Sequence, residues 1–256
     1  MQQSRAKVLH CYIKTAHGQA VRPAPSLSCV SGLGIAGDIH ASSLSPRQIL
    51  LVRQEDLDAL QLPAGYLGEN LCVAGVAASD LAPGARLHIG GAVLHVLFHC
   101  EPCAAIAPRV PLLRAILGRR GVLAVVAKSG AIAPGDSVRA EPAVIAAWPD
   151  QPAARVRAVI ARIPPGKALS YLTLLEAAGL QRAYVRAMPS YLRGARERGL
   201  PAHRVVDSAG YPAGALDGAA ALLAREGALG ADGRALPVAF WQPALETALK
   251  CDNARN

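Results

Sequence analysis

The chain has 256 residues, 52% hydrophobic and 18% charged, a composition that excludes a disordered protein and is that of a folded one. No apolar run reaches the ~18 residues a membrane span needs, and the N-terminal MQQSRAKVLHCYIK lacks the apolar core of a signal peptide; a soluble cytoplasmic protein with no membrane partner is expected. Of the net charge of +9, residues 151–256 carry +6, with 14 Lys+Arg against 8 Asp+Glu, which suits a polyanion such as nucleic acid, although solvated arginines on an Ala/Arg-rich chain account for it as simply.

Short β-type runs broken by Gly/Pro turns fill the first part of the chain: RQILLV (47–52), ENLCVAGV (69–76), ARLHIGGAVLHVLF (85–98) and GVLAVVA (121–127). Turn signals at such close spacing predict a β-rich barrel or sandwich over residues 1–140, with Gly90-Gly91 as a tight hairpin. EPAVIAAWPDQPA (141–153), punctuated by Pro142, Pro149 and Pro152, reads as a linker to a second domain over 154–256 that includes a C-terminal tail. There the period changes. Val156, Val159, Ile160 and Ile163 share one helical face, and Pro164-Pro165-Gly166 ends it. A second helix is expected over Tyr171–Ala178, capped by Ser170 and ended by Gly179. A third segment, Arg182–Arg193, carries Arg182, Arg186 and Arg193. Two short helices around a Gly-bearing turn read as helix-turn-helix, and a plain helical bundle is the commoner alternative. Pro189 inside the third segment removes a helical hydrogen bond, a cost of ~3 kcal/mol unless it falls in the first turn.

The loop PAHRVVDSAG (201–210) frames Ala202 with Pro201, His203 and Arg204. It has the outline of a catalytic loop, yet alanine has no nucleophile. In the first domain, GIAGDIHA (34–41) and GYLGENLCVAGV (65–76) are Gly-rich loops bearing Asp38, His40, Glu69 and Asn70, and HCEPCAAIAP (99–108) holds Cys100 and Cys103. Cys100-x-x-Cys103 is half a zinc site at most; a structural zinc needs four ligands, and no second pair is suitably spaced, so no zinc is expected. The six cysteines are too sparse for a disulfide scaffold and are expected to be reduced.

IPPGKALSY (163–171), the arginine of YVRAMPSYLRG (184–194), PAHRVVDSAG and LLAREG (222–227) match in order and spacing the DNA-binding domain of O6-alkylguanine-DNA alkyltransferases, which the segment 153–230 resembles. In those enzymes the loop reads Pro-Cys-His-Arg-Val and the cysteine takes the alkyl group from a flipped guanine. Here that position is Ala202. The chain therefore resembles the alkyltransferase-like branch that lacks the nucleophile, and no alkyl transfer is expected, because that reaction needs a thiolate. The resemblance implies a winged helix-turn-helix-like, mainly α domain that binds double-stranded DNA with O6-alkylguanine lesions and signals to nucleotide-excision-repair factors. Tyr171 would crowd the phosphate, Arg186 would fill the gap left by the flipped nucleotide, and Ala202, His203 and Val205 would surround the base. Glu226 would orient His203, and Arg204 is expected in a structural salt bridge. Leu216 stands roughly where the family has a serine that contacts the base, and the Asn that follows the family's recognition helix is missing, the segment reading Arg193-Gly194-Ala195-Arg196.

The Gly-rich loops, RQILL, GARLHIGGAVL and the final Pro102-Cys103 together resemble the MOSC domain, named for the C-terminal part of molybdenum-cofactor sulfurases, over residues 7–140. The resemblance implies a β-barrel-like fold and a molybdenum cofactor. Cys103 would be the metal ligand or persulfide carrier and the catalytic residue, with Asp38, His40, Arg47, Glu69 and Asn70 lining the pterin pocket. Asp38 and His40 serve equally well as turn-forming residues. Pyridoxal phosphate, which the sulfurases carry in another domain, is not expected. The activity implied is reduction of a small N-hydroxylated compound or base, or sulfur transfer. The alternative is a DNA-lesion-binding accessory protein whose MOSC domain is structural or a sulfur carrier.

Overall fold

Strands that alternate apolar and polar side chains bury one face, and that alternation builds the first half of the molecule. The computed structural model describes residues 6–102, 106 and 113–243. The chain divides between Trp148 and Pro149 into two compact units. The first contains β1 (Lys7–Ile13), β2 (Arg22–Pro23), β3 (Leu27–Val30), β4 (Gly34–Ile35), β5 (Ile49–Arg53), α1 (Gln54–Leu60), β6 (Leu71–Ala74), β7 (Arg86–Ile89), β8 (Ala92–His99), β9 (Val122–Lys128), β10 (Gly130–Ile132) and β11 (Val138–Glu141).

Eight strands form a curled sheet in the order β11-β7-β8-β9-β5-β6-β1-β2, and a second sheet runs β10-β3-β4. Together they make a half-barrel. The pair β5–β6, joined through α1, is parallel; the other neighbours are antiparallel. Register shifts in β1 between Val8 and His10, and in β8 between Val93 and Leu94 and again between Val96 and Phe98, add local twist to the long strands and help the sheet to curl. Leu51, Leu71, Leu87, Ile89, Leu94, Val96 and Ala124 point into one core cluster and are fully buried. The β7–β8 turn needs glycine, since Gly90 has φ +55° and a Cβ there would lie 2.5 Å from Ala131 O. The sequence did not reveal α1. Its seven residues span barely two turns and bury Leu57 alone, too little for a readable period.

The second unit contains α2 (Pro152–Ile160), β12 (Leu169–Ser170), α3 (Tyr171–Ala177), α4 (Met188–Arg196), β13 (Val205–Val206) and α5 (Ala219–Arg225), with short 3-10 turns between them. Val156, Val159 and Ile160 form the buried face of α2, and Ile163 is buried just beyond its end. Ser170 Oγ accepts a hydrogen bond from Thr173 N at the start of α3, and Gly179 follows its end with φ +65°. The segment expected as one helix over Arg182–Arg193 is two: a 3-10 helix at Arg182–Ala187, then α4. Pro189 thus lies in the first turn of α4, where its missing N–H breaks no helical bond.

Arg155 is wholly buried in α2. Its Nε donates to Ala178 O at 2.9 Å and its NH1 to Asp150 O at 2.7 Å and Pro149 O at 3.1 Å. One guanidinium thus closes the end of α3 and fixes the chain's entry into this unit. Arg155→Met orphans these carbonyls and is expected to cost about 3 kcal/mol in urea unfolding of this unit.

Candidate functional site

Two residues of parallel pairing bring distant segments together. Leu169 pairs with Val205 and Ser170 with Val206, so the start of α3 lies beside the strand that follows the Ala202 loop. Tyr171, the first residue of α3, thereby faces Asp207 and Ser208 across an open recess of about 650 Å³, whose far side carries Arg182 and Arg186 from the 3-10 helix. Burial, then the Asp207 charge, raises the Tyr171 phenol, so it stays neutral and able to donate. Asp207 is taken up locally: its Oδ1 accepts from Ala209 N and Tyr211 N, both at 2.9 Å. The groups left to meet a ligand are a neutral phenol and two exposed arginines.

Ala202 and His203 line a second recess, of about 510 Å³, with Arg196 at the end of α4 and Leu216, Asp217 and Leu222. Ala202 itself is 1% exposed. Of the base-facing residues expected from sequence, Tyr171 and Arg186 share the first recess and Ala202 and His203 the second. Val205 lines neither and is fully buried in β13.

The loop is held by one carboxylate. Glu226, just past the end of α5, meets His203 Nε2 at 2.9 Å, Arg204 NH2 at 2.7 Å and Arg204 Nε at 3.0 Å, and accepts from Gly166 N at 3.0 Å. Arg204 NH1 donates to Ile163 O at 2.7 Å. Hydrogen bonds from Arg204 first, then from His203 and Gly166, outweigh partial burial and lower the Glu226 pKa to about 2. It is an anion at any ordinary pH. Arg204 is thus the ion-pair former expected from sequence. The frame of a catalytic loop is present and complete, with a methyl group where a nucleophile would stand.

In the first unit, Asp38 and Asn70 form one cluster. Asp38 accepts from Lys14 N, His40 N and Asn70 Nδ2 at 2.9, 2.9 and 3.0 Å and meets His40 Nδ1 at 2.9 Å. Burial works to raise its pKa, but the hydrogen bonds from His40 and Lys14 outweigh it and hold it below the usual range. Asn70 Oδ1 accepts from Leu50 N, and its Nδ2 also donates to Tyr12 O. Both side chains are occupied in tying β1, β5 and two loops together. Arg47 lies elsewhere, with NH1 on Glu101 Oε2 at 3.2 Å and NH2 on Cys100 Sγ at 3.6 Å. Glu69 is buried, with Oε1 accepting from Gly65 N at 2.5 Å. Cys103 lies outside the described residues. Among the described residues no group of three His, Cys, Asp or Glu side chains could hold a metal ion. Burial pushes the Cys11 thiol up to about 11 and Cys29 and Cys72 up to about 12, so these three are not nucleophiles.

Sequence reasoning missed two buried polar groups here. Gln48 bridges Gly32 O, Ser42 O and Val126 N and locks the loop before β5. Arg120 is 8% exposed; it sits in an Arg-Arg-Gly run that reads as solvated surface, and nothing in the spacing betrays its burial.

The family model for the MOSC domain matches residues 36–139. That for the 6-O-methylguanine DNA methyltransferase, DNA binding domain, matches residues 151–228. No curated protein matches the chain. Among solved structures, the YuaD protein from Bacillus subtilis is 26% identical, with 54% of this chain and 96% of that one covered and a TM-score of 0.47. YiiM from Geobacillus stearothermophilus is 15% identical over 86% of this chain and 98% of that one, with a TM-score of 0.44. S. pombe Atl1, solved in complex with damaged DNA containing O6-carboxymethylguanine, is 24% identical over 37% of this chain and 98% of that one, with a TM-score of 0.31.

Proposed function

We propose, for a chain that carries a MOSC domain followed by a 6-O-methylguanine DNA methyltransferase DNA-binding domain, that the second unit binds double-stranded DNA and holds an O6-alkylated guanine without altering it. The observation that carries this reading is Ala202. It is buried in a loop whose His203–Glu226–Arg204 frame is intact, and it lines a recess open to a ligand. A flipped base costs a few kcal/mol of stacking and needs a receiving pocket and a group to fill the gap. The recess at Ala202 and Leu216 would take the base and its alkyl group. Tyr171 would press on the phosphate, and Arg186, an exposed planar cation on the neighbouring recess, would enter the stack. Without a thiolate no alkyl group moves, so the bound lesion persists for a repair partner. Mobility shifts with duplexes that differ only by one O6-methylguanine test this. Tighter binding of the modified duplex is expected, weakening with salt as phosphate contacts require. Equal affinity for both sinks lesion recognition.

To the first unit we assign the molybdenum cofactor, with Cys103 as its thiolate ligand. The family match supports it, as do buried polar atoms that have no partner among the described residues: Glu69 Oε2, and Nε and NH1 of Arg120. Asp38 and Asn70, with their hydrogen bonds spent on the fold, would shape the wall of the site rather than grip the pterin. Bound, the cofactor supplies a redox-active metal suited to reducing an N-hydroxylated compound. Arg47 holds Cys100 and Glu101, which precede Cys103 in the sequence. Protein purified from a cofactor-making host is expected to contain molybdenum and fluorescent pterin near one equivalent, and Cys103→Ser to lose the metal. Metal-free wild-type protein from that host overturns the assignment.

A further inference from the structure

The family model for the second unit ends at residue 228, and the chain beyond it folds back onto the loop that follows β13. Leu229 bridges to Ala235, and Gly230 N donates to Arg234 O at 2.8 Å, so residues 229–235 form a tight turn. Ala235 N then donates to Gly210 O at 2.8 Å. Arg234 Cβ lies 3.7 Å from where a Cβ would stand on Gly210. The turn is thereby fastened to a second one, residues 206–212. There Val206 bridges to Pro212, Asp207 N donates to Tyr211 O at 2.9 Å, and Asp207 Oδ1 accepts from Tyr211 N at 2.9 Å.

Joining the two turns stacks Arg234 on Tyr211, with its Cζ 4.9 Å from the ring centre. Both side chains are exposed, Tyr211 by 40% and Arg234 by 51%. Among the described residues the nearest carboxylate to the guanidinium is that of Asp232, 3.9 Å from Nε and beyond hydrogen-bond distance. The Tyr211 phenol first, then the Asp232 and Asp207 charges, raise the Arg234 pKa. A guanidinium laid flat on a ring has one face covered and its N–H edge turned to water. That edge suits the oxygens of a phosphate, and the ring has already restricted the side chain. The location matters as much as the chemistry. Asp207, which Tyr211 holds through both backbone groups, lines the recess of Tyr171, Arg182 and Arg186. The stacked pair therefore adjoins that recess on its Asp207 side.

We propose that the Arg234–Tyr211 pair is a further nucleic-acid contact, in which the Arg234 guanidinium grips one phosphate of the duplex backbone beside the Tyr171 recess. The partner rests on the reading of the second unit as a DNA-binding one. The contact does not depend on lesion recognition, because a phosphate carries no information about the base. It lengthens the duplex the protein covers to one side, through a turn outside the matched residues 151–228.

The test titrates the full-length protein with labelled duplexes, with and without one O6-methylguanine, at several salt concentrations. Arg234→Gln is expected to weaken both duplexes alike, by about five-fold, and to lower the salt slope by about one phosphate. Preference for the modified duplex stays at the wild-type value. When the modified duplex is shortened stepwise, the loss is expected to vanish on trimming from one side of the lesion and to persist on trimming from the other. Arg22→Gln, which removes the same charge from β2 of the first unit, is expected to bind as the wild type does. Unchanged binding by Arg234→Gln overturns the proposal and leaves the DNA-binding reading intact. So does a loss that Arg22→Gln matches, which is overall charge, or a loss of the lesion preference, which is damage to the recess. A wild type that binds both duplexes equally, yet weakens with Arg234→Gln, upholds this contact and sinks lesion recognition. No binding of either duplex overturns both.

Discussion

Arg186→Ala is expected to lower affinity for a duplex containing O6-methylguanine by about ten-fold or more, and affinity for undamaged duplex by much less. The asymmetry follows from what the side chain would do. A cation that only touches phosphate weakens binding to every sequence alike and lowers the salt slope by about one charge. A planar guanidinium that replaces a flipped base in the stack acts only where a base has left, and stacking of this kind is worth about 1–3 kcal/mol. Arg186 shares its recess with Tyr171 and is held on a 3-10 turn whose far end runs straight into α4. Arg193, exposed on α4, is the control. Arg193→Ala is expected to weaken both duplexes equally. Equal losses from Arg186→Ala would reduce it to one more phosphate contact.

Glu226→Gln is expected to destabilise the second unit by about 3 kcal/mol, because the amide leaves Arg204 and His203 without their anion in a partly buried place. The pH dependence has a definite sign. The Glu226 pKa is lowered to about 2 in the folded state by Arg204, His203 and Gly166, from an ordinary 4.5. Its stabilising effect is therefore complete above about pH 4.5 and fades as pH falls from there toward 2. Urea unfolding of a Trp148→Phe protein, in which Trp241 is the tryptophan left to report, reads this unit. The wild type should lose stability across that acid range, and Glu226→Gln should lose markedly less. Parallel acid profiles would show that the carboxylate does not carry the effect.

Strands were legible in the sequence where apolar and polar residues alternate, as in β7 and β8, and where apolar runs mark a strand buried on both faces, as in β5. Helices were legible where a cap is written locally, as with Ser170 and Gly179 around α3. The break between the 3-10 helix and α4 was not, since Pro189 fits either the middle of one helix or the start of another, and packing of Met188 and Leu192 decides. The partnering of buried polar groups was the least visible. Arg155 and Arg120 look alike as letters in basic stretches. One meets the carbonyls of Pro149 and Asp150 just upstream and of Ala178 at the end of the next helix, and the other has two nitrogens without a partner among the described residues. Such differences arise from how the chain packs in three dimensions, which no local pattern encodes. The site residues were named without their grouping for the same reason. The β12–β13 pairing sets Tyr171 beside Asp207 and Ser208 and leaves Val205 inside.

The attachment of the Ala202 loop through Glu226 separates two kinds of constraint on its history. No hydrogen bond that holds the loop passes through the side chain at position 202, whereas several converge on position 226. A lineage could therefore trade a sulfur for a hydrogen at 202 without loosening the fold, while any drift at 226 would be felt first as instability. His203 and Glu226 therefore have a part in the architecture that does not depend on catalysis, whatever residue stands between Pro201 and His203.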